Sequence, residues 1–224
     1  MVSSSPTQNK LNQNKLVTDI WVKATWEEFI GFADDKNEKF DEKAKFYYHD
    51  GYMRSEMSPI GPLHARHNSI ISSVIKLFAT LKNIRIVELN NASFRRSGTS
   101  ELQPDLSYYI GLDFKLPPRS NTPINLNEFP PPTLVVEIGA TSINDDLGMK
   151  RLLYEQSGTQ EYWVVDANVD HVIAFSIADG RSGQIDESEV LKGLKIELVE
   201  EALKKSQTEE DGEINRWLLN IFGK

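Results

Sequence analysis

The sequence predicts a mixed α/β (α+β) domain, a central sheet with helices on its faces. Three observations predict it. Apolar residues recur at helical spacing from His64 to Leu81, at Ile70, Ile71, Val74, Ile75, Leu77, Phe78 and Leu81. Two short runs, Thr133 to Ile138 and Glu161 to Asp166, read as buried strands. Strong turn signals, among them Asp50-Gly51, Gly61-Pro62, Pro130-Pro131-Pro132 and Gly158, separate the elements.

The elements follow in order. Residues 1–19 are polar and without period, and are expected to be a flexible tail ahead of a single domain over 20–224. Thr25-Trp26-Glu27-Glu28 has the spacing of a capping box and predicts a short helix to about Ala33. The mixed charges from Asp34 to Lys45 predict an exposed loop. Phe46 to Met57 predicts a hairpin turning at Asp50-Gly51. After the long helix, strands are expected at Ile84 to Leu89, Ala92 to Arg96 and Leu106 to Ile110. A Pro- and Asn-rich excursion over 111–132 is either a functional loop or a tolerated insertion. Beyond the strand at Thr133, Asn144 to Gln156 predicts one helix, stopped at Gly158. Strands are expected at His171 to Ile177 and Lys195 to Val199, and a last short helix from Ile214.

Composition narrows the function. With 39% hydrophobic and 26% charged residues among 224, the chain can build a core and is neither disordered nor fibrous. It has no cysteine, which excludes disulfides, thiolate zinc sites and a cysteine nucleophile. The polar N-terminus lacks the apolar stretch of a signal peptide, and no run reaches the ~18 apolar residues of a membrane span, so a cytoplasmic protein with no membrane partner is expected. Lysine and arginine number 25 against 33 acidic residues, a net charge of −8. That argues against a protein that coats nucleic acid, yet a metal-dependent nuclease needs local carboxylates.

Glu137 interrupts an otherwise apolar strand. A carboxylate there costs several kcal/mol unless it is paired, protonated or metal-bound. It either lies on an exposed strand face, pairs with a buried arginine, or belongs to a site. Asp105 follows Pro104 at a loop-to-strand junction, where such a pair alone is more often turn chemistry than catalysis. Asp146, Lys150 and Tyr154 fall at i, i+4 and i+8 on one helix face, which suits a solvated ion pair or a directed cation. Together, two carboxylates for a divalent cation and a lysine beside them fit phosphodiester hydrolysis, with Mg²⁺ or Mn²⁺ as cofactor. Arg95 and Arg96 read as a solvated pair, with phosphate contact the other reading. Arg66 and His67 read as exposed, and Tyr162 and Trp163 as core.

An ordered series of short motifs carries a resemblance over about residues 25–200. It comprises Asp50-Gly51, Glu56-Met57-Ser58-Pro59, His64, Pro104-Asp105, Val135-Val136-Glu137-Ile138, Asp146 with Lys150 and Tyr154, and Gly158 before Glu161-Tyr162-Trp163-Val164-Val165-Asp166. The sequence resembles the Uma family, bacterial proteins classed as restriction endonucleases, within the PD-(D/E)XK nuclease superfamily. The resemblance implies a restriction-endonuclease-like core with its acidic pair on adjacent strands. It implies Asp105 and Glu137 as metal ligands and catalytic acids, with the Ile138 carbonyl as a further ligand. The superfamily lysine belongs two residues after Glu137, where this chain has Gly139; the family keeps one on the next helix, which matches Lys150. Glu56 matches a further site acid and His64 a helix-start histidine that contacts phosphate or water, against bland readings as a surface acid and a local hydrogen-bonder. The implied activity is a Mg²⁺-dependent DNA endonuclease, with a homodimer suited to cutting two strands. Two other readings stay open: a nuclease fold that has lost cleavage and serves binding or regulation, and a metal-dependent hydrolase of small phosphoesters. No Gly-rich phosphate loop, paired metal histidines or nucleophile elbow supports other hydrolase classes.

Overall fold

The computed structural model describes residues 19–34, 44–57 and 61–223. The expected tail, except Asp19, and most of the expected loop over 34–45 lie outside the described residues, as do residues 58–60.

The elements run β1 (Val22–Lys23), α1 (Trp26–Ala33), β2 (Ala44–His49), β3 (Tyr52–Met57), α2 (Pro62–Leu81), β4 (Ile86–Asn90), β5 (Phe94–Arg96), β6 (Ser100–Leu102), β7 (Leu106–Ile110), β8 (Ile124–Asn125) and β9 (Leu134–Gly139). Then come α3 (Ile143–Asp145), a π-helical turn (Asp146–Lys150), α4 (Arg151–Ser157), β10 (Glu161–Asp166), β11 (His171–Ala178), β12 (Arg181–Ile185), α5 (Ile196–Lys205) and α6 (Asp211–Phe222). The mixed α/β class is as the sequence predicts. The strands, however, divide into two six-stranded sheets rather than one, ordered β1-β3-β2-β6-β5-β8 and β12-β11-β10-β9-β7-β4. Hydrophobic period marks a strand but not its sheet.

Local chemistry explains the elements that position the site. Thr25 caps α1 and Glu28 returns the bond, the reciprocal box its spacing predicts. Asp50 and Gly51 both take positive φ, 47° and 80°, the turn that joins β2 to β3. Gly158, at φ 93°, ends α4.

In the second sheet, β9 is parallel to β10 and antiparallel to β7. Alternation along β9 assigns its faces. Leu134, Val136 and Ile138 pack against α2, α5 and α6 in one core, with Trp163, Val165 and Leu106. Val135 faces the other way, into a second core holding Tyr47, Phe94, Tyr154 and Tyr162. Glu137 shares that second face. The acid is therefore sandwiched between the two sheets and α4, not turned to solvent.

Several local expectations change. Lys195 to Val199 is not a strand but the start of α5, whose buried residues Ile196, Val199, Ala202 and Leu203 keep helical spacing. The single helix expected from Asn144 is interrupted at Gly148 (φ −102°, ψ −108°), where only five residues span the π-helical turn. His67 is buried, its Nε2 2.7 Å from Asp170 Oδ1, and Arg66 bonds the Ser206 and Glu209 carbonyls, so neither is free at the surface. Arg95 pairs with Glu101 and Asp34. Lys45, expected at the end of an exposed loop, is a buried residue of β2. The excursion over 111–132 folds back, its Ile124–Asn125 pairing in parallel with Phe94 and Arg95.

Candidate active site

The register of β7 and β9 pairs Leu106 with Val136, and one step further sets Asp105 opposite Glu137. Residues opposite each other in an antiparallel pair point to the same face. Both carboxylates therefore enter the space between the sheets. Asp105 Oδ2 accepts a hydrogen bond from the Ile138 amide at 2.8 Å. Its Oδ1 accepts one from Lys45 Nζ and lies 3.2 Å from His64 Nε2. Burial pushes the Asp105 carboxyl up, but Lys45 and His64 outweigh it and hold the group well below the usual carboxylate range.

Glu137 is fully buried and differently served. Its Oε1 accepts from Tyr154 Oη at 2.6 Å and Tyr47 Oη at 3.2 Å. Its Oε2 has no hydrogen-bond partner among the described residues, with Lys150 Nζ 3.8 Å away. Burial prevails over Lys150 and Lys45 and pushes the Glu137 carboxyl up to about 8. Burial together with Glu137 raises both tyrosines, which stay neutral donors.

Lys150 arrives from the π-helical turn. Its ammonium lies 2.8 Å from Glu56 Oε2 and 2.9 Å from Asp146 Oδ1, and 4.5 Å from the centre of the Tyr47 ring. Burial works against its charge, but Glu137, Asp146 and Glu56 hold its pKa well above that of an ordinary lysine. The Asp146–Lys150 contact is thus buried, not the solvated pair its spacing also allowed. Glu56 is likewise no surface acid: burial raises it, but Lys150 draws it below its usual range. Arg54 Nε contacts Glu56 and Asp145, each at 3.2 Å, and Trp21 Nε1 donates to Asp145 at 2.6 Å.

Gly139, at the position of the superfamily lysine, is closed to any side chain. A Cβ there would stand 2.5 Å from Ser142 Oγ and 2.7 Å from Asp146 Oδ2. Lys150 contacts the same Asp146 from the helix side. Gly139→Ala is therefore expected to cost about 1–3 kcal/mol through overpacking, because the Cβ pushes apart the Ser142 Oγ to Asp146 Oδ2 hydrogen bond. Urea denaturation would check this, and an unchanged midpoint would contradict it.

A cleft of about 780 Å³ opens onto this cluster. Trp21, Arg54, Glu56, His64, Ile138 and Asp145 are among its walls, and the 111–132 excursion contributes none. His64 Nδ1 faces the Asn68 amide at 3.0 Å. Its buried Nε2 approaches Asp105 off the hydrogen-bonding direction and has no aligned partner among the described residues.

The residues suit a divalent cation. Five carboxylates (Glu56, Asp105, Glu137, Asp145 and Asp146) meet three cations (Lys45, Arg54 and Lys150), a formal surplus of two negative charges when all are ionised. The unpartnered Glu137 Oε2 faces this surplus. Among the described residues no three His, Asp or Glu side chains form a ready-made cage. The available donors are hard oxygens, to which Mg²⁺ adds retained waters.

The structure brings together all the sequence-predicted residues, Asp105, Glu137, Ile138, Lys150, Glu56 and His64. Sequence reading missed Lys45, Tyr47 and Arg54. Extending the predicted hairpin by one residue would have placed Lys45 and Tyr47 on one face, since alternate residues of a strand share it.

A buried acid pair on neighbouring strands thus lies beside a lysine from the following helical segment. The profile of the Uma2 family, described as "Putative restriction endonuclease", matches residues 26–222, and the chain belongs to that family. No curated protein matches it. Among solved structures, the chain is similar to a protein from Anabaena variabilis described as "a putative nuclease belonging to DUF820". The two are 18% identical, with a TM-score of 0.54, over 80% of this chain and 98% of that one, a likeness of fold. Among the described residues, no helix is long and apolar enough to cross a membrane.

Proposed function

We propose that this chain is an endonuclease, dependent on Mg²⁺ or Mn²⁺, that hydrolyses phosphodiester bonds in DNA. The opposed Asp105 and Glu137, buried behind a cleft whose walls include their neighbours Glu56, His64 and Ile138, carry this reading. Asp105, Glu137 and the Ile138 carbonyl would hold the cation, which supplies an acidified water and neutralises charge on the phosphate. Lys150 holds a positive charge beside Glu137 and keeps Glu56 ionised. The Ile138 amide fixes the rotamer of Asp105. His64 lines the cleft with its Nε2 3.2 Å from Asp105 Oδ1 and no aligned hydrogen bond there, and it would turn to donate to a phosphate oxygen entering the cleft. Tyr47 and Tyr154 orient Glu137 so that Oε2 faces the cluster.

The test is incubation of supercoiled plasmid with the protein in Mg²⁺ or Mn²⁺ and in EDTA. The reading expects nicked or linear product only with metal. Intact plasmid at every metal concentration, from a protein that binds the metal, would reject DNA as substrate. One observation favours a second reading, a small phosphoester as substrate. Arg54, the cation on the described cleft wall, is already shared by Glu56 and Asp145, which leaves no free cation there for a duplex backbone. Metal-dependent hydrolysis of bis(p-nitrophenyl) phosphate without plasmid cleavage would select it.

A further inference from the structure

The site contains two buried lysines, and they are held differently. Lys150 contacts three carboxylates, Glu56, Asp146 and Glu137. Lys45, equally buried, has one acidic partner within ion-pair distance, Asp105. It sits on Oδ1, the oxygen left over once Oδ2 has accepted the Ile138 amide. Lys45 is therefore fixed on the lone pairs that Asp105 would offer a cation. It stands opposite Glu56 in the β2–β3 register and adds to the positive field at Glu137 as well. An ammonium so placed can do one of two things. It can hold Asp105 in the geometry a metal needs, or it can occupy the position of a positive charge and compete with the metal.

Charge and contact favour competition. The Ile138 amide already fixes the Asp105 rotamer, so positioning does not depend on the lysine. A divalent cation and an ammonium on one carboxylate oxygen repel each other strongly at low dielectric. Moving Lys45 breaks one buried ion pair, whereas moving Lys150 breaks three contacts.

We propose that Lys45 is a resident counter-cation of Asp105 that the divalent metal must displace, so that Lys45 sets the metal concentration at which the site loads. This rests on Asp105 being a metal ligand, as in the proposed function.

Mn²⁺ titration by calorimetry, without substrate, tests it on the wild type, Lys45→Met and Lys45→Arg. Lys45→Met is expected to bind Mn²⁺ at least about tenfold more tightly, since it removes both the competitor and a like charge. Lys45→Arg, which keeps the charge, is expected to bind no more tightly than the wild type. Thermal melts on the same samples give a second readout independent of cleavage. Lys45→Met should melt below the wild type in EDTA, where Asp105 loses its ammonium partner and keeps only the Ile138 amide and His64, and recover most or all of that deficit in Mn²⁺. Equal or weaker Mn²⁺ binding by Lys45→Met, with normal binding by the wild type, would overturn the competition and leave Lys45 as a positioning residue. Absence of Mn²⁺ binding in all three proteins would instead sink the metal reading itself, and the inference with it.

Discussion

Glu137→Gln should lower metal-dependent cleavage by about 10³-fold or more, because it removes one of the two carboxylates proposed to hold the cation. The same substitution should leave the fold intact. Glu137 is pushed up to about 8 by burial, so much of it is already protonated at neutral pH, and glutamine mimics that form. Between the ordinary 4.5 and this raised value, the folded chain binds a proton that the unfolded chain releases. Stability of the metal-free wild type should therefore fall as pH rises through that window. Glu137→Gln lacks the group and lacks that loss. In EDTA the variant should gain on the order of a few kcal/mol over the wild type between about pH 5.5 and 9. Paired urea melts at the two pH values measure it. A variant that loses cleavage and is also less stable at alkaline pH would show that the Glu137 charge holds the fold together.

Lys150→Met should act in the opposite sense. The ammonium is the shared partner of Glu56, Asp146 and Glu137, all buried. Removing one partner from a buried ionic cluster leaves uncompensated charge, worth about 3–5 kcal/mol. That is a large part of the 5–15 kcal/mol that stabilises a typical domain. The deficit should shrink at pH 5, where Glu137 carries its proton, and grow at pH 8. Lys150→Arg should recover only part of the loss, since a planar fork does not replace a compact ammonium between three carboxylates. Circular-dichroism melts at both pH values decide the matter. Equal stability of Lys150→Met and the wild type at pH 8 would mean that the carboxylates are hydrated in solution rather than held by the lysine.

Much of this site was legible in the chain. Glu137 stood out because burying a carboxylate in an apolar strand demands a reason, and the structure gives one in Tyr47, Tyr154 and Lys150. Asp105 was legible through its Pro104 neighbour and the strand after it, and Lys150 through helical spacing from Asp146. That spacing was right for the wrong geometry: the π-helical turn at Gly148, not a regular helix, brings Lys150 into contact with Asp146. Nothing local to the sequence marks such a turn except the glycine. Lys45 was hidden because the charged stretch before it hides where the strand begins. The strand expected at Lys195 failed because Ile196 and Val199 are β-branched; the continuation to Ala202 and Leu203 carries the helical period. His67 looked like a surface residue beside Arg66, and its partner Asp170 lies 103 residues away. Pairings at that range come from topology, which a single chain does not display.

The central claim is that Asp105 and Glu137 together bind a divalent cation. Calorimetric titration of Mn²⁺ into the wild type and into the Asp105→Ala, Glu137→Ala double variant tests it most directly. The account predicts saturable binding by the wild type and its loss in the double variant, with circular dichroism showing both folded. Equal binding by both proteins, or none by a folded wild type, would contradict it.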